Sequence, residues 1–272
     1  MKLLSSHFIR RAAGLLVVLS LPVAVQGQTS FTWLTNLDQT IDLEFGFGPG
    51  RLPATSVTIP DTVTGRPVTQ IGRNAFTAMN SFITNIVIPD SVYEIDGNAF
   101  RGCRYLSSIT IGTGVTNLSN YSFAEIGNGV SLSTYPSPAR VSFYFSGNAP
   151  SLGSYTTNGF EPDDTVFYGS PKATVYYLAG TTGWSDTLGG LPTALWLPQM
   201  QPSAVGSGGV TTQMAFKIIW AKGRTVVVEN CNDLLNPAWQ PVATNTLATG
   251  TWSFSDPHWT TSGCGFYRVR AQ

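Results

Sequence analysis

Residues 88–106 read IPDSVYEIDGNAFRGCRYL, and this stretch decides the fold because the chain repeats it. Its NAF motif, at 98–100, also occurs 24 residues earlier at 74–76, and a shortened SF follows 23 residues after Phe100 at 122–123. A period of 23 to 24 residues indicates a solenoid, in which successive units stack on one another. The repeat predicts an architecture, but it specifies neither a reaction nor a ligand.

Each repeat predicts two short strands followed by a tight turn. Alternating apolar residues predict the first strand of each unit, at 57–59, 86–88 and 109–111. Pro60 and Pro89 end this strand in the first two units, because proline lacks the amide proton that a ladder needs. A second apolar segment, as at 69–71 and 93–95, then leads into a brief helical half-turn around the Ala-Phe pair.

Phenylalanines form the predicted spine of the array. A unit of about two dozen residues cannot bury its own apolar side chains, so it must stack on its neighbours. Phe76, Phe100 and Phe123 recur at the same place in the period, and we interpret them as core residues. Cys103, three residues after Phe100, is interpreted as a small buried core residue instead of a nucleophile.

The pattern I-P-D-x-V, I-x-x-N-A-F, G-C-x-x-L resembles the BspA-type leucine-rich repeat. It is complete at 88–106, and a degenerate unit follows in which Leu118 replaces the second isoleucine and no cysteine occurs. The resemblance implies a mostly secreted or surface-displayed protein that contacts protein or matrix and has no conserved catalysis. Segments at 147–150 and 175–184 also resemble those that close such arrays, so the resemblance covers about 30–197.

The array needs a cap at each end, because its first and last units would otherwise expose their cores. Alternating residues at 28–55 predict a hairpin or edge strand as the N-terminal cap, before repeats at 56–126. The looser segment 127–197 is predicted to hold atypical distal units and a C-terminal cap closed by Trp184 and Trp196. Five extra residues in the first repeat, 64–68, are expected in a surface loop.

The N-terminus predicts export. Lys2, Arg10 and Arg11 precede an apolar run at 12–25 that is too short for a membrane span, which is typical of a signal peptide with cleavage after Gly27. Removing this leader leaves a net charge of about −3, which argues against nucleic-acid binding. We therefore predict a secreted or cell-surface protein with no membrane span in the mature chain.

The C-terminal segment has a different character. A Pro- and Gly-containing stretch at 198–212 predicts a linker, and 213–272 predicts a small all-β module, most simply an antiparallel sandwich. Short strands are predicted at 215–220, 225–229, 239–242, 252–254 and 266–270. The predicted fold is therefore mostly β, with a leucine-rich-repeat solenoid of short strands and brief helical turns followed by this sandwich.

Two cysteines could stabilise the small module. A module of about sixty residues buries only about 60% of its unfolded surface. A bridge between Cys231 and Cys264 would close a loop of about 34 residues and contribute roughly 3 to 4 kcal/mol in the chain-entropy account. Disulfide geometry is strict and the strand register is not known from sequence, so the free thiols remain the alternative.

The sequence offers little for catalysis or cofactors. His258 is the only histidine after the leader, which excludes a multi-histidine zinc site. A Ser-His-Asp triad around it stays formally open, although no G-x-S-x-G elbow accompanies it. Glu161, Asp163 and Asp164 form an acidic cluster without the spacing of a calcium loop, which favours a solvated loop over a metal site. We predict no cofactor and no enzyme activity.

Two functional hypotheses remain. The first is a binding or adhesion protein that contacts an extracellular protein or polysaccharide through outward strand positions, although the same positions could be an inert solvated face. These positions are Ser56, Thr58, Asn85, Val87, Ser108 and Thr110. The alternative is a carbohydrate-binding or carbohydrate-active protein that uses tryptophans of the C-terminal module, at Trp239, Trp252 or Trp259, although core packing explains them equally simply.

Overall fold

The computed structural model describes most of the chain after the leader. The described residues are 30–35, 41–47, 55–77, 83–127, 138, 140–156, 159–170, 172–202, 214–256 and 265–272. The predicted signal peptide, 1–27, lies outside them. The chain divides into two compact units, Met1–Leu195 and Trp196–Gln272, and each is described by itself.

Short strands dominate both units. Within the described residues, the first unit holds β1 (Ser30–Thr35), β2 (Ile41–Phe47), β3 (Thr55–Thr58), β4 (Thr62–Val63), β5 (Arg66–Ile71), β6 (Ile83–Ile88), β7 (Glu94–Ile95), β8 (Ser108–Ile111), β9 (Asn117–Leu118), β10 (Val141–Phe145), β11 (Ser151–Thr156), β12 (Gly159–Pro162), a 3-10 turn (Thr165–Phe167), β13 (Ala173–Tyr177), β14 (Thr187–Leu188) and β15 (Leu191–Leu195). The second unit holds β16 (Gln199–Pro202), β17 (Met214–Ile219), β18 (Thr225–Cys231), β19 (Gln240–Thr246), β20 (Thr251–Asp256) and β21 (Phe266–Ala271).

The first strands of successive repeats form one parallel sheet, which confirms the predicted solenoid. The order is β14-β15-β13-β10-β8-β6-β3, and every pair is parallel except β14 with β15. Alternate residues of β8 and β10 are buried, as their apolar alternation predicts. The strands after the regular repeats, β10 and β13, therefore continue the same sheet.

The second strands form another sheet in the order β1-β2-β5-β7-β9-β11-β12. The strands β2, β5, β7, β9 and β11 run parallel, and β1 closes the N-terminal edge as an antiparallel partner of β2. The predicted N-terminal hairpin is therefore confirmed for β1 and β2. It adds to the second sheet of the array and not to the sheet of first strands.

The predicted surface loop at 64–68 is a tight hairpin instead. Only Thr64 and Gly65 form the turn, with φ angles of 51° and 76°, and β4 and β5 pair on either side of it. Val68 is fully buried in β5, so the extra residues extend a strand. The prediction was wrong here because a two-residue turn with positive φ is enough to reverse the chain.

The helical half-turn of each repeat is a pair of hydrogen-bonded turns. Ala99 N donates to Asp96 O and Arg101 N to Asn98 O, at 3.2 and 3.1 Å. Asn98 has φ = 58°, which interrupts a right-handed helix. The next amide, Phe100 N, donates to Ser122 O of the following repeat at 2.8 Å. The turns therefore join neighbouring repeats through backbone hydrogen bonds, as the strands do.

A stack of phenylalanine rings fills the core between the two sheets and the turns. The rings of Phe76 and Phe100 are 4.7 Å apart between centroids, and those of Phe100 and Phe123 are 5.1 Å apart. Phe167 continues the stack beyond Phe123 at 6.1 Å. The three predicted spine residues are fully buried, which confirms their assignment to the core.

The two predicted closing tryptophans lie in different compact units. Trp184 stacks on Tyr177 at 5.0 Å and meets Phe145 edge to face at 5.2 Å, so it covers the last strands. Trp196 instead begins the second unit, where its carbonyl accepts a hydrogen bond from Trp220 Nε1 at 2.7 Å. Its role as an array cap stays a prediction.

The C-terminal unit is an antiparallel sandwich with one strand more than predicted. One sheet has the order β16-β17-β20 and the other β19-β18-β21. The ring of Tyr267 in β21 packs 6.0 Å from Phe216 in β17, and its hydroxyl donates to Asp256 at 2.6 Å, which ties the sheets together. The extra strand, β16, lies inside the predicted linker 198–212 and pairs with β17, which corrects that boundary.

Candidate functional site

The parallel sheet places outward side chains of successive strands in two columns, which we call the outer columns. Each column follows the ladder register across neighbouring strands. The first column is Ser56, Asn85, Ser108, Ser142 and Thr174. The second column is Thr58, Val87, Thr110, Tyr144, Tyr176 and Ala194. Neighbouring side chains of a column are one strand spacing apart, about 4.8 Å.

All six predicted surface positions lie in these columns, three in each. Ser56, Thr58 and Val87 are exposed, and the other three are half-buried between neighbouring side chains. The amide of Asn85 donates to the hydroxyl of Ser56 at 3.1 Å, across the gap between β3 and β6. The six positions therefore lie on one continuous face of the sheet, polar except at Val87.

Five further column positions escaped the sequence analysis, and two of them are aromatic. The rings of Tyr144 and Tyr176 stack with centroids 5.2 Å apart and planes 19° apart. The signal was present in the sequence, since VSFYF at 141–145 and ATVYY at 173–177 alternate like the earlier strands. The irregular spacing after the third repeat hid the register that brings these tyrosines together.

A rigid layer lies beneath the outer columns. The inward residues Ile86, Ile109 and Phe143 are in register with one another and at most 1% exposed. Close packing of this kind fixes the strands, so the outward side chains keep their spacing without a bound partner. The backbone that carries the outer columns is therefore held in place by the core beneath it.

The acidic cluster has a structural role at its central residue. The Asp163 carboxylate accepts hydrogen bonds from the Thr165 amide at 2.7 Å and from its hydroxyl at 2.5 Å, which fixes the start of the 3-10 turn. Asp163 and Asp164 border a shallow pocket with Leu152, while Glu161 is exposed. Among the described residues, no group of three acidic, histidine or cysteine side chains could hold a metal ion.

Trp239 of the C-terminal sandwich takes part in a charged cluster. The Arg268 guanidinium lies 4.3 Å from the centre of its ring. Arg268 and Arg270 each donate to Glu229 at 2.7 Å. Trp252, by contrast, meets Phe254 edge to face at 5.6 Å.

The two arginines lower the pKa of Glu229. Hydrogen bonds from Arg270 and then Arg268 stabilise its carboxylate, and their charges add to the effect. A lowered folded-state pKa contributes stability above the unfolded-state pKa, and this contribution is lost as the pH falls through the folded value.

We expect acid to weaken the C-terminal sandwich in part through Glu229. Wild type should be more stable than Glu229→Gln at pH 7. The difference in unfolding free energy should shrink as the pH falls from roughly 4, near the unfolded-state pKa, through the lower folded-state pKa. Urea unfolding of the full chain at pH 7, 5 and 3 measures this. A difference that stays constant with pH would contradict the role of the ion pairs.

The described cysteines are buried. Burial raises the pKa of the Cys103 thiol to about 12, which agrees with a core residue and not with a nucleophile. Cys231 is a buried free thiol in the structure, while Cys264, His258 and Trp259 lie outside the described residues. The pairing of Cys231 with Cys264 is not found and stays a prediction.

Comparisons with known proteins identify the repeats. Residues 52–149 match the BspA type leucine-rich repeat region in six copies, which confirms the resemblance over these residues. The chain is similar to a leucine-rich repeat protein from Bacteroides capillosus, with 25% identity and a TM-score of 0.33 over 47% of this chain and 100% of that one. No curated protein matches the chain significantly.

A second solved structure with similarity is a leucine rich cell surface protein from Faecalibacterium prausnitzii. The identity is 20% and the TM-score 0.31, over 63% of this chain and 46% of that one, so this chain spans about half of its length. Both TM-scores are low, so the assignment of the repeats rests on the family match and on the two parallel sheets. Among the described residues, no helix is long and apolar enough to cross a membrane.

Proposed function

We propose that the BspA-type repeats of residues 52–149, with the strands that continue their sheet, form a non-enzymatic binding module. Its contact surface is the outer columns. The observation that carries this proposal is their register: eleven outward positions on six parallel strands form two continuous rows above a close-packed core. A regular, rigid surface of this kind suits a large partner better than a small substrate, which proteins hold in concave pockets.

The chemistry of the columns supports binding without catalysis. Their side chains are hydroxyls, an amide, phenols and short apolar groups, which make hydrogen bonds and apolar contacts at little conformational cost. None of them is a carboxylate or an imidazole, the usual general acids and bases near neutral pH. The proposed role is therefore adhesion-like contact with an extracellular protein or polysaccharide.

An extracellular partner follows from the N-terminal sequence. The basic start, the apolar run at 12–25 and the small residue Gly27 favour export through a signal peptide. The mature protein, 28–272, would then act outside the cell or on its surface. Cleavage of the signal peptide after Gly27 predicts a new N-terminus at Gln28, which N-terminal sequencing of the exported protein tests.

The binding surface can be tested with charges placed in the second column. We expect Thr58→Glu and Thr110→Glu each to weaken binding by about tenfold or more, because a carboxylate desolvated without a partner opposes association. The measurement is binding of the full mature chain to an array of extracellular proteins and polysaccharides. Thr116→Glu is the matched control, since Thr116 is exposed, lies in the same repeat as Thr110 and is outside the columns.

The same array separates this proposal from its alternative. If binding is unchanged in both column variants but lost in Trp239→Ala, the binding site lies on the C-terminal sandwich. This result would overturn the proposed surface. Thermal unfolding of each variant shows that it is folded, so that a loss of binding is not a loss of structure.

A further inference from the structure

We propose that the outer columns bind a neutral, extended polysaccharide whose chain crosses the strands and follows the columns. This inference rests on the proposed binding role and names the class of ligand. Three features carry it: the columns bear no charge, their hydrogen-bonding groups repeat at one strand spacing, and they include an aromatic stack at one end.

The absence of charge in the columns distinguishes a neutral from an acidic ligand. All eleven side chains are uncharged at neutral pH. The charged residues closest to them in the chain lie outside the strands: Arg140 and Lys172 just before β10 and β13, and Asp61 and Asp90 shortly after β3 and β6. Over the columns themselves, an acidic polysaccharide would lose the hydration of its carboxylates or sulfates without gaining an ion pair. The exposed Arg140 and Lys172 could pair with it at one margin, but the exposed Asp61 and Asp90 would repel it at the other. Charge complementarity therefore favours a neutral chain.

The spacing of the columns suits a repeating ligand. Successive hydroxyl or amide groups are one strand apart, about 4.8 Å, which is comparable to the advance of an extended polysaccharide per sugar. The Asn85 amide donates a hydrogen bond to the Ser56 hydroxyl, so polar side chains on adjacent strands lie within hydrogen-bond distance of each other. In the first column, five successive strands can thus each offer one donor or acceptor to a sugar.

The aromatic stack provides an apolar surface for a sugar ring. Tyr176 stacks on Tyr144 on one side, and on its other side the position in register is Ala194. The methyl group of Ala194 is the shortest side chain of the second column, so the column places no large side chain beside the Tyr176 ring on this side. A sugar ring above Ala194 would continue the stack, with its apolar face against the phenol ring.

The test uses neutral and acidic oligosaccharides of defined length. We expect the full mature chain to bind a hexasaccharide from at least one of the cello-, manno- or xylo-oligosaccharide series, and to bind it about tenfold more tightly than the disaccharide, because a longer chain contacts more strands. Hexagalacturonate, which is acidic and of equal length, should bind at least tenfold more weakly. Isothermal titration calorimetry measures all three affinities.

A matched pair of tyrosine variants locates the contact. Tyr176→Ala should weaken hexasaccharide binding about tenfold through loss of the ring surface. Tyr168→Ala should leave binding unchanged, because Tyr168 is 62% exposed and lies in the segment after the 3-10 turn, outside the columns. Tyr176→Phe, which keeps the ring, should retain most of the affinity, and thermal unfolding of Tyr176→Ala shows that this variant is folded.

Several outcomes would overturn the inference. They are no binding in any neutral series, equal binding of hexagalacturonate, or full affinity in folded Tyr176→Ala. If no oligosaccharide binds but Thr110→Glu abolishes binding of a protein on the array, the polysaccharide inference fails while the proposed binding surface stands. If neither column variant alters any binding, both fail.

Discussion

Phe100→Ala should destabilise the repeat array by about 3 to 5 kcal/mol. The Phe100 ring is fully buried and stacks on both of its neighbours in the spine, with centroids 4.7 and 5.1 Å away. Truncation removes the buried apolar surface and leaves a cavity between repeats that the rigid neighbouring rings cannot fill. Such a loss is a large fraction of the stability of a typical domain.

Urea unfolding of the full mature chain, followed by far-UV circular dichroism, measures the effect of Phe100→Ala. Tyr168→Ala serves as the control, because its aromatic ring is largely exposed and its removal should cost less than about 1 kcal/mol. A comparable loss in both variants would show that burial in the spine does not determine the stability of the array.

Gly114→Ala should destabilise the array by about 3 kcal/mol, at the upper end of the range for overpacking. A Cβ atom on Gly114 would lie 2.0 Å from the carbonyl oxygen of Asp90 and 2.8 Å from that of Val92. Both are backbone atoms of the preceding repeat, which cannot rotate away as a side chain can. The repeats would have to separate locally, and the Thr113 amide would lose its 2.7 Å hydrogen bond to the Asp90 carboxylate if they did.

Gly265→Ala is the matched control for Gly114→Ala. A Cβ atom at Gly265 would meet no atom of the described residues within 4 Å, so the same substitution should change the unfolding free energy by less than about 0.5 kcal/mol. Thermal and urea unfolding of the three proteins give the comparison. An unchanged midpoint in Gly114→Ala would mean that the repeats are less closely stacked than the backbone distances indicate.

The sequence predicts the repeats well because their period and their alternation agree. Pro89 ends a strand in the structure as its missing amide requires, and Phe76, Phe100 and Phe123 stack as their spacing indicates. The missing amide of proline determines where the strand ends, and the regular spacing determines which phenylalanine rings are neighbours. The alternating residues of β10 and β13 identify them as strands even where the period is lost.

Other features depend on tertiary contacts that no local pattern encodes. The strand β16 has exposed residues throughout and lies in a stretch with linker composition, so only its pairing with β17 makes it a strand. The half-turn at Asn98 looks helical in sequence, but its positive φ directs the following amide to the next repeat.

Only part of the candidate site could be predicted, because only part of the array keeps a regular period. The regular period placed Ser56, Asn85 and Ser108 on one face, and the structure puts them in one column. Tyr144 and Tyr176 were missed because 32 residues separate them, a spacing that matches no earlier repeat. Short polar side chains suit both a ligand and water, so the residue types alone could not distinguish a binding surface from a solvated one.

Hydroxyl-radical footprinting of the full mature chain tests the central claim, that the outer columns are the contact surface. The wild-type protein is labelled with and without the macromolecule that it binds most tightly on the array, and oxidation is measured at individual tyrosines. The account predicts that Tyr176 becomes protected while Tyr168, exposed outside the columns, does not. Unchanged oxidation of Tyr176 in the saturated complex would contradict it.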